Sequence, residues 1–172
     1  WLVSRLANKI EWALETAIIQ GSGSSQATGI VTTVSTATGT YTKAKAKYSD
    51  LVKIISALGS RYANNAAFIM TRTLFYSDII GIEDTAGQPV VHPDVESPAK
   101  MNILGYPVIL TDAFGTTTYK DTILFGDPKA YAMNISKGPD VTSDDSAAFR
   151  TGSRVYRAMC LADGKLTTSS AF

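Results

Sequence analysis

Apolar residues recur every three or four positions from Leu2 to Ile18, with polar and charged residues between them. This spacing predicts an amphipathic helix that ends at Gly21. The polar, glycine-rich run from Gly21 to Gly29, GSGSSQATG, predicts a flexible loop in which no regular element persists. After it, Ile30 to Val34 predicts a short strand, and the threonine-rich stretch Ser35 to Thr42 predicts an exposed excursion.

A second helix and a strand–helix unit are predicted in the next part of the chain. The helix begins near Ser49, a suitable N-cap residue, and ends at Gly59. The apolar run from Ala66 to Met70 has the length of a strand, and Thr71 to Ile80 returns to helical spacing. This part of the chain therefore contributes mainly helices.

The second half of the chain has the pattern of short strands separated by Gly, Pro, Asp and Ser. A turn at Glu83 to Gln88 precedes an extended segment, Pro89 to Val91, that closes a predicted hairpin. The strands that follow are predicted at Val108 to Leu110, Thr122 to Phe125, Tyr131 to Ile135 and Arg154 to Leu161. The expected fold class is α+β with a mostly antiparallel sheet, in a single domain over residues 1–172.

Composition and charge narrow the classes of function. The chain is 45% hydrophobic and 18% charged, which is typical of a folded protein. A formal net charge of +1 gives no global field for nucleic acid or an anionic membrane, and no stretch approaches the roughly 18 apolar residues of a spanning helix. Cys160, the single cysteine, predicts a small apolar strand residue in a reducing compartment. The start at Trp1, already in a helical pattern, predicts a piece of a longer polypeptide.

The only histidine, His92, would have to carry any proton-transfer chemistry, with Asp94 or Glu96 as its partner. Its place between Val91 and Pro93 instead predicts a turn residue, and no Gly-x-Ser-x-Gly motif accompanies it. We therefore predict no catalytic, cofactor-binding or metal-binding residues.

Other polar groups lack a diagnostic arrangement. Glu83, Asp84, Asp144 and Asp145 have no spacing typical of a carboxylate pair or a hard-metal site, and the loop from Gly138 to Ser146 predicts a solvated turn. The glycine run after the first helix contains no Lys and does not follow a strand, so it does not predict a phosphate loop. Alternating lysines favour a protected edge strand over a nucleic-acid contact; they are Lys43, Lys45 and Lys47.

Four passages, in order along the chain, resemble the tailed-phage major capsid proteins of the Hong Kong 97 type. The first, ALETAIIQGSGSSQATGI from Ala13 to Ile30, is similar to the end of the family's spine helix and its glycine-rich turn. The second is YANNAAFIMT, from Tyr62 to Thr71, with the later EDTAGQP from Glu83 to Pro89. The third and fourth are ILGYPV from Ile103 to Val108 and ILFGDPKAY from Ile123 to Tyr131. The last residues, Arg154 to Phe172, resemble the closing strand pair, with Asp163 and Gly164 between two extended runs.

The resemblance implies a peripheral lobe with a spine helix and an axial lobe whose loops meet at the symmetry axes. It implies a non-enzymatic shell subunit that assembles with copies of itself into pentamers and hexamers and encloses double-stranded DNA without sequence specificity. A scaffold or protease would act during assembly in the bacterial host cytoplasm, the product would be the virion capsid, and no membrane would take part. The family's N-terminal arm and extended loop would precede Trp1.

Three alternatives remain open at this point. An encapsulin-like nanocompartment shares the fold but packages enzyme cargo. An enzyme would depend on His92. A tail or adhesin module, suggested by the Thr- and Ser-rich stretches, would form a fibrous trimer.

Overall fold

The computed structural model describes residues 1–34, 46–83, 101–115, 119–146 and 149–172. The predicted first helix is confirmed as α1, Leu2–Gln20. It ends at Gly21, whose N–H donates to the Ala17 carbonyl over 2.9 Å. A side chain at this position could not fit, because a Cβ atom on Gly21 would lie 2.1 Å from the carbonyl oxygen of Ala27. The helix therefore ends where the returning loop presses against its last turn.

The glycine-rich run is a loop that contains no helix or strand, as the sequence predicted, and hydrogen bonds hold its two ends together. Ser22 and Thr28 form an antiparallel bridge, and the N–H of Gly29 donates to the Gly21 carbonyl over 2.8 Å. Ala27, inside the loop, is buried. These contacts bring the two ends of the loop together below α1.

The predicted strand from Ile30 to Val34 is wrong, because the chain forms a helical turn, α2, at Ile30–Thr33. Two threonine hydroxyls stabilise the turn by donating 2.9 Å hydrogen bonds, Thr32 to the Gly21 carbonyl and Thr33 to the Gly29 carbonyl. The preceding loop thus supplies acceptors that override the β preference of Ile, Val and Thr. The stretch from Ser35 to Thr42, and with it Lys43 and Lys45, lies outside the described residues.

The second helix is confirmed as α3, Tyr48–Ala57, but its N-cap is Lys47 and not Ser49. The Asp50 carboxylate accepts the Lys47 N–H over 3.2 Å, and the Asp50 N–H donates to the Lys47 carbonyl over 2.9 Å. The acidic third residue therefore fixes the start of the helix. A single turn, α4, follows at Ser60–Ala63.

A four-stranded sheet forms the centre of the structure. Its strands are β1 Ala67–Met70, β2 Asn102–Ile103, β3 Tyr106–Leu110 and β4 Leu124–Gly126, and their order in the sheet is β2-β3-β1-β4. Three of them, β1, β3 and β4, were predicted from the sequence and are confirmed. β1 pairs parallel with β3 and antiparallel with β4, whereas β2 and β3 form an antiparallel hairpin. The predicted helix after β1 is confirmed as α5, Arg72–Leu74, which continues into a π-helical turn at Phe75–Ile79.

Both faces of β1 are buried, so the sheet separates two hydrophobic clusters. Phe68 and Met70 belong to the cluster that contains Leu51 of α3 and Leu74 and Phe75 of the helix after β1. Ile69 points to the other cluster, where the end of α1, α2 and the loop after β3 meet around Phe114. The alternation of side chains along β1 therefore joins the two halves of the core.

A long two-stranded ribbon follows, made of β5, Tyr131–Asp144, and β6, Val155–Leu166. The two predicted strands are confirmed, but both are longer than expected. Most of the predicted turn from Gly138 to Ser146 belongs to β5, and Asp163 and Gly164 lie inside β6 and not between two runs. Pro89 to Val91 lies outside the described residues.

Candidate assembly surface

The catalytic candidates His92, Asp94 and Glu96 lie outside the described residues. Asp144 and Asp145 lie at the tip of the ribbon, where the Asp144 carboxylate accepts from the N–H and the hydroxyl of Ser146. Among the described residues, no group of three or more His, Cys, Asp and Glu side chains could hold a metal ion.

The tip of the ribbon is fixed by charged side chains. The Arg154 guanidinium donates two hydrogen bonds to the Asp145 carboxylate, one of 2.7 Å, and this contact raises the pKa of Arg154. In the middle of the ribbon, Lys137 donates to Asp140 over 2.7 Å, which lowers the pKa of that carboxyl. All these groups are solvated, so they orient the ribbon more than they stabilise it.

The base of the ribbon is anchored to the loop below α1. The Tyr131 hydroxyl donates to the Thr28 carbonyl over 3.0 Å, and the Thr28 N–H donates to the Gly164 carbonyl over 2.8 Å. Burial of the phenol, and to a smaller extent the charge of Asp163, raises the pKa of Tyr131. A Cβ atom on Gly164 would lie 2.8 Å from the Tyr131 ring, so this strand position requires glycine.

Beyond that base the ribbon leaves large apolar side chains in solvent. Five of them are 42–52% exposed: Met133, Ile135, Val155, Tyr156 and Leu161. Two-stranded hairpins are at best marginally stable in water without a further strand or a packed layer. A ribbon of this length with exposed apolar residues on both strands is therefore typical of a protein–protein interaction surface.

The outer face of α1 carries a second exposed stripe. Both tryptophans of the chain lie on it, with Trp1 89% and Trp12 53% exposed. The Arg5 guanidinium lies 5.8 Å from the centroid of the Trp1 ring, and the Lys9 ammonium lies 5.2 Å from that of Trp12. Aromatic and Arg side chains of this kind are enriched at the centres of protein–protein interfaces. Within the described residues, no helix is both long and apolar enough to cross a bilayer.

Cys160 occupies the middle of β6, as the sequence predicted. It is partly exposed, and its thiol donates to the Lys137 carbonyl over 3.3 Å. The sequence drew attention to His92 and missed the ribbon surface. The signal was present in Arg154 to Leu161, where apolar residues fall on both faces of the predicted strand.

Comparison with known proteins gives a consistent result. The model of a family described as the phage capsid family matches residues 1–172. Two solved structures are similar over 99% of this chain at 23% identity and a TM-score of 0.78: the capsid of an empty GTA particle and the capsid of a native GTA particle, both computed with C5 symmetry. The chain spans 63% and 62% of the length of those chains. No curated protein matches. The α+β, mostly antiparallel Hong Kong 97-type fold is confirmed.

Proposed function

The chain belongs to the phage capsid family, and from that premise we propose that it is a structural subunit of an icosahedral shell that self-associates into pentamers and hexamers. The matched solved structures are themselves assembled capsids. They favour a phage-type shell over an encapsulin-like compartment or a fibrous adhesin, which no observation on this chain supports.

The observation that carries the proposal is the exposed ribbon. Its base is held by Tyr131, Thr28 and Gly164, and just beyond the base it carries Ile135 and Leu161 at 48% and 52% exposure. A closed shell needs every subunit to present apolar surface to several neighbours, which a projecting ribbon does. The exposed ribbon is therefore a contact between subunits.

The two parts of the fold correspond to the two lobes of such a subunit. In our proposal, α1 and the ribbon form the peripheral lobe, and the four-stranded sheet with α3 and α5 forms the axial lobe. Each lobe has its own hydrophobic cluster, which supports this division, and β1 contributes side chains to both clusters and so joins the lobes into one capsid core over residues 1–172.

The shell would enclose double-stranded DNA without sequence specificity, which a subunit with a net charge of +1 permits because it has no strong field of its own. A scaffold or a protease would assist assembly in the bacterial host cytoplasm, and the product would be the virion capsid. We propose no catalytic role, since the described carboxylates at the ribbon tip are engaged with Ser146 and Arg154.

Negative-stain electron microscopy and mass photometry of the full-length gene product test the proposal. Closed shells, or rings of five and six subunits, are the expected result. A strictly monomeric protein at high concentration contradicts it and returns attention to His92. In that case an activity abolished by His92→Ala would establish the enzyme alternative.

Charged substitutions on the ribbon test whether it is buried on assembly. Ile135→Asp and Leu161→Asp each put a charge on its exposed apolar surface, and each should suppress shells by at least tenfold in yield. Thr142→Asp is the matched control, because it adds the same charge at an exposed polar position of β5 that lies opposite Arg157 and not opposite an acidic residue.

Cysteine and tryptophan residues report on burial without a charge. Cys160 is the only thiol of the 172 residues, so its protection from maleimide in shells reports whether the ribbon is covered. Trp1 and Trp12 report in the same way on α1, through a blue shift of their emission.

A further inference from the structure

The turn between β2 and β3 holds a leucine in a backbone conformation that suits glycine or asparagine. Ile103 and Tyr106 pair across the hairpin, so Leu104 and Gly105 are its two central residues. Both have a positive φ, 51° and 85°, as a type I′ turn requires. Glycine adopts this conformation freely, whereas the Cβ atom of a leucine crowds the following carbonyl oxygen. Leu104 therefore strains the turn.

Packing within the subunit does not offset this strain. Leu104 is 38% exposed, and among the described residues it belongs to neither hydrophobic cluster. A Cβ atom on Gly105 would meet nothing within 4 Å, so the turn has open space around it. Backbone strain of this kind is concentrated at ligand-binding and other functional sites, where it fixes the position of a contact residue. The turn thus presents an apolar side chain outward in a fixed position.

The sheet beside this turn has an uncovered face. Val108 packs against the cluster to which α3 contributes, so its neighbours Pro107 and Ile109 point to the opposite face. Ile69, which lies beside Ile109 in the register, is buried on that face among residues of α1 and α2. Ile109 itself is 43% exposed, and Pro107 is exposed as well. The elements that cover β1 therefore do not extend over β3.

We call Leu104, Pro107 and Ile109 the hairpin patch, and its charge and size restrict its partner. The patch has no charged side chain, and the residues beside it, Asn102 and Gly105, are also uncharged. It therefore does not suit nucleic acid or another charged ligand. It presents on the order of 200 Å², whereas each partner in a stable complex of two chains buries about 800 Å². Such a patch fits a partner that further contacts also hold, as the next subunit of a ring is held.

α3 carries a matching surface on the other side of the sheet. Leu51 is buried in the cluster on that side, which places α3 opposite the uncovered face. Tyr48 and Val52, one helical turn apart, are 46% and 41% exposed. The charges of Asp50 and Lys53, which flank Val52, neutralise each other in an ion pair of 3.7 Å. This side of α3 is therefore apolar in the same way as the hairpin patch.

We propose that the hairpin patch of one copy packs against Tyr48 and Val52 of the next copy within a pentamer or hexamer. The inference rests on the proposed shell function and adds a contact inside the ring. In a cyclic ring, one surface of each copy meets a different surface of the next. The hairpin patch and the exposed side of α3 are both apolar and lie on opposite sides of one sheet, as a head-to-tail contact requires.

Leu104→Asn separates folding from assembly. Asparagine tolerates a positive φ, so this variant should have a higher Tm than the wild type. It should nevertheless raise the concentration at which rings and shells form by at least tenfold, because an apolar contact is lost at every interface of the ring. Leu104→Met is the matched control, since it keeps both the strain and the apolar side chain, and it should assemble like the wild type. Assembly of Leu104→Asn at the wild-type concentration overturns the proposal and leaves the shell function intact, whereas a monomeric wild type overturns both.

Cysteine pairing keeps the test decisive if Leu104→Asn does not fold. In a Cys160→Ser background, Leu104→Cys is combined with Tyr48→Cys or with Val52→Cys, and the assembled shells are oxidised. We expect denaturing gels without reductant to show a ladder of linked subunits that ends at five and six. Absence of a ladder from assembled shells of both pairs overturns the proposal. Dimers formed by Leu104→Cys alone overturn it too, because the patch would then meet its own copy around a two-fold axis.

Discussion

Gly126, at the end of β4, is the position where one added methyl group should do most damage. A Cβ atom there would lie 2.3 Å from the Ala171 carbonyl oxygen and 2.5 Å from the Phe172 ring. Ala171 is fully buried, and its carbonyl accepts the Asp127 N–H over 2.9 Å. Gly126→Ala therefore cannot be accommodated without displacing Ala171 and Phe172.

The cost can be estimated from what that displacement exposes. Moving a large apolar side chain such as Phe172 out of its packed position lowers the free energy of unfolding by about 1.5–3 kcal/mol. Losing the hydrogen bond from the Asp127 N–H to the Ala171 carbonyl lowers it by about 1 kcal/mol. Part of this is recovered because the freed residues regain conformational entropy. We expect the free energy of unfolding to fall by about 2–4 kcal/mol.

Urea denaturation followed by circular dichroism measures this change. Gly138→Ala is the matched control, because Gly138 lies in an exposed part of β5 and a Cβ atom there meets nothing within 4 Å. Phe172→Ala should reproduce about half of the loss, and the double variant Gly126→Ala with Phe172→Ala should lose less than the sum. A Gly126→Ala protein within about 0.5 kcal/mol of the wild type would falsify the packing argument.

Three further predictions concern single side chains. Leu104 lies at φ 51° in the β2–β3 turn beside Gly105 at φ 85°, so Leu104→Asn should stabilise the protein by about 1 kcal/mol, seen as a higher Tm; a lower Tm would contradict this account of the turn. Asp78 is buried in the π-helical turn, and its Oδ2 has no partner among the described residues, so Asp78→Asn should raise the free energy of unfolding by about 1 kcal/mol, whereas a loss would indicate a cationic partner. The raised pKa of Tyr131 means that the unfolded state loses its proton first as pH rises, so stability should fall from about pH 10 upward, and Tyr131→Phe should remove that part of the pH dependence in denaturation at pH 8–11.

The sequence was most informative where apolar residues keep helical spacing over several turns, or where a short run is apolar throughout, as in a buried strand. α1, α3 and the strand β1 follow from spacing alone, since their apolar residues face one side or are buried throughout. α2 could not be found in this way, because its stability comes from the Gly21 and Gly29 carbonyls that a neighbouring loop brings to Thr32 and Thr33. The β propensity of Ile30 to Thr33 favoured a strand, but the hydrogen bond from Thr32 to the Gly21 carbonyl, eleven residues earlier, stabilises a helical turn.

The ribbon was underestimated for a different reason. Gly138, Pro139 and Asp140 have the composition of a turn, and two bulges accommodate them inside β5 without ending the pairing. Apolar residues on both faces of Arg154 to Leu161 were the sequence signal for the assembly surface, but the same pattern is typical of a strand buried on both faces. The position of Ile135 and Leu161 outside the core decides that they are exposed.

The structure links the stability of the ribbon to the proposed assembly of the shell. Tyr131, Thr28 and Gly164 hold the base, but the strands continue for about nine residues beyond the last of these anchors with solvent on both faces. A free two-stranded ribbon of that length has too little buried area to offset the entropy of ordering its backbone. The apolar side chains that would destabilise an isolated subunit are the same ones that a neighbour can cover. Ile135 and Leu161 are 48% and 52% exposed in the subunit, and a partner that buries them would offset the entropy of ordering the ribbon.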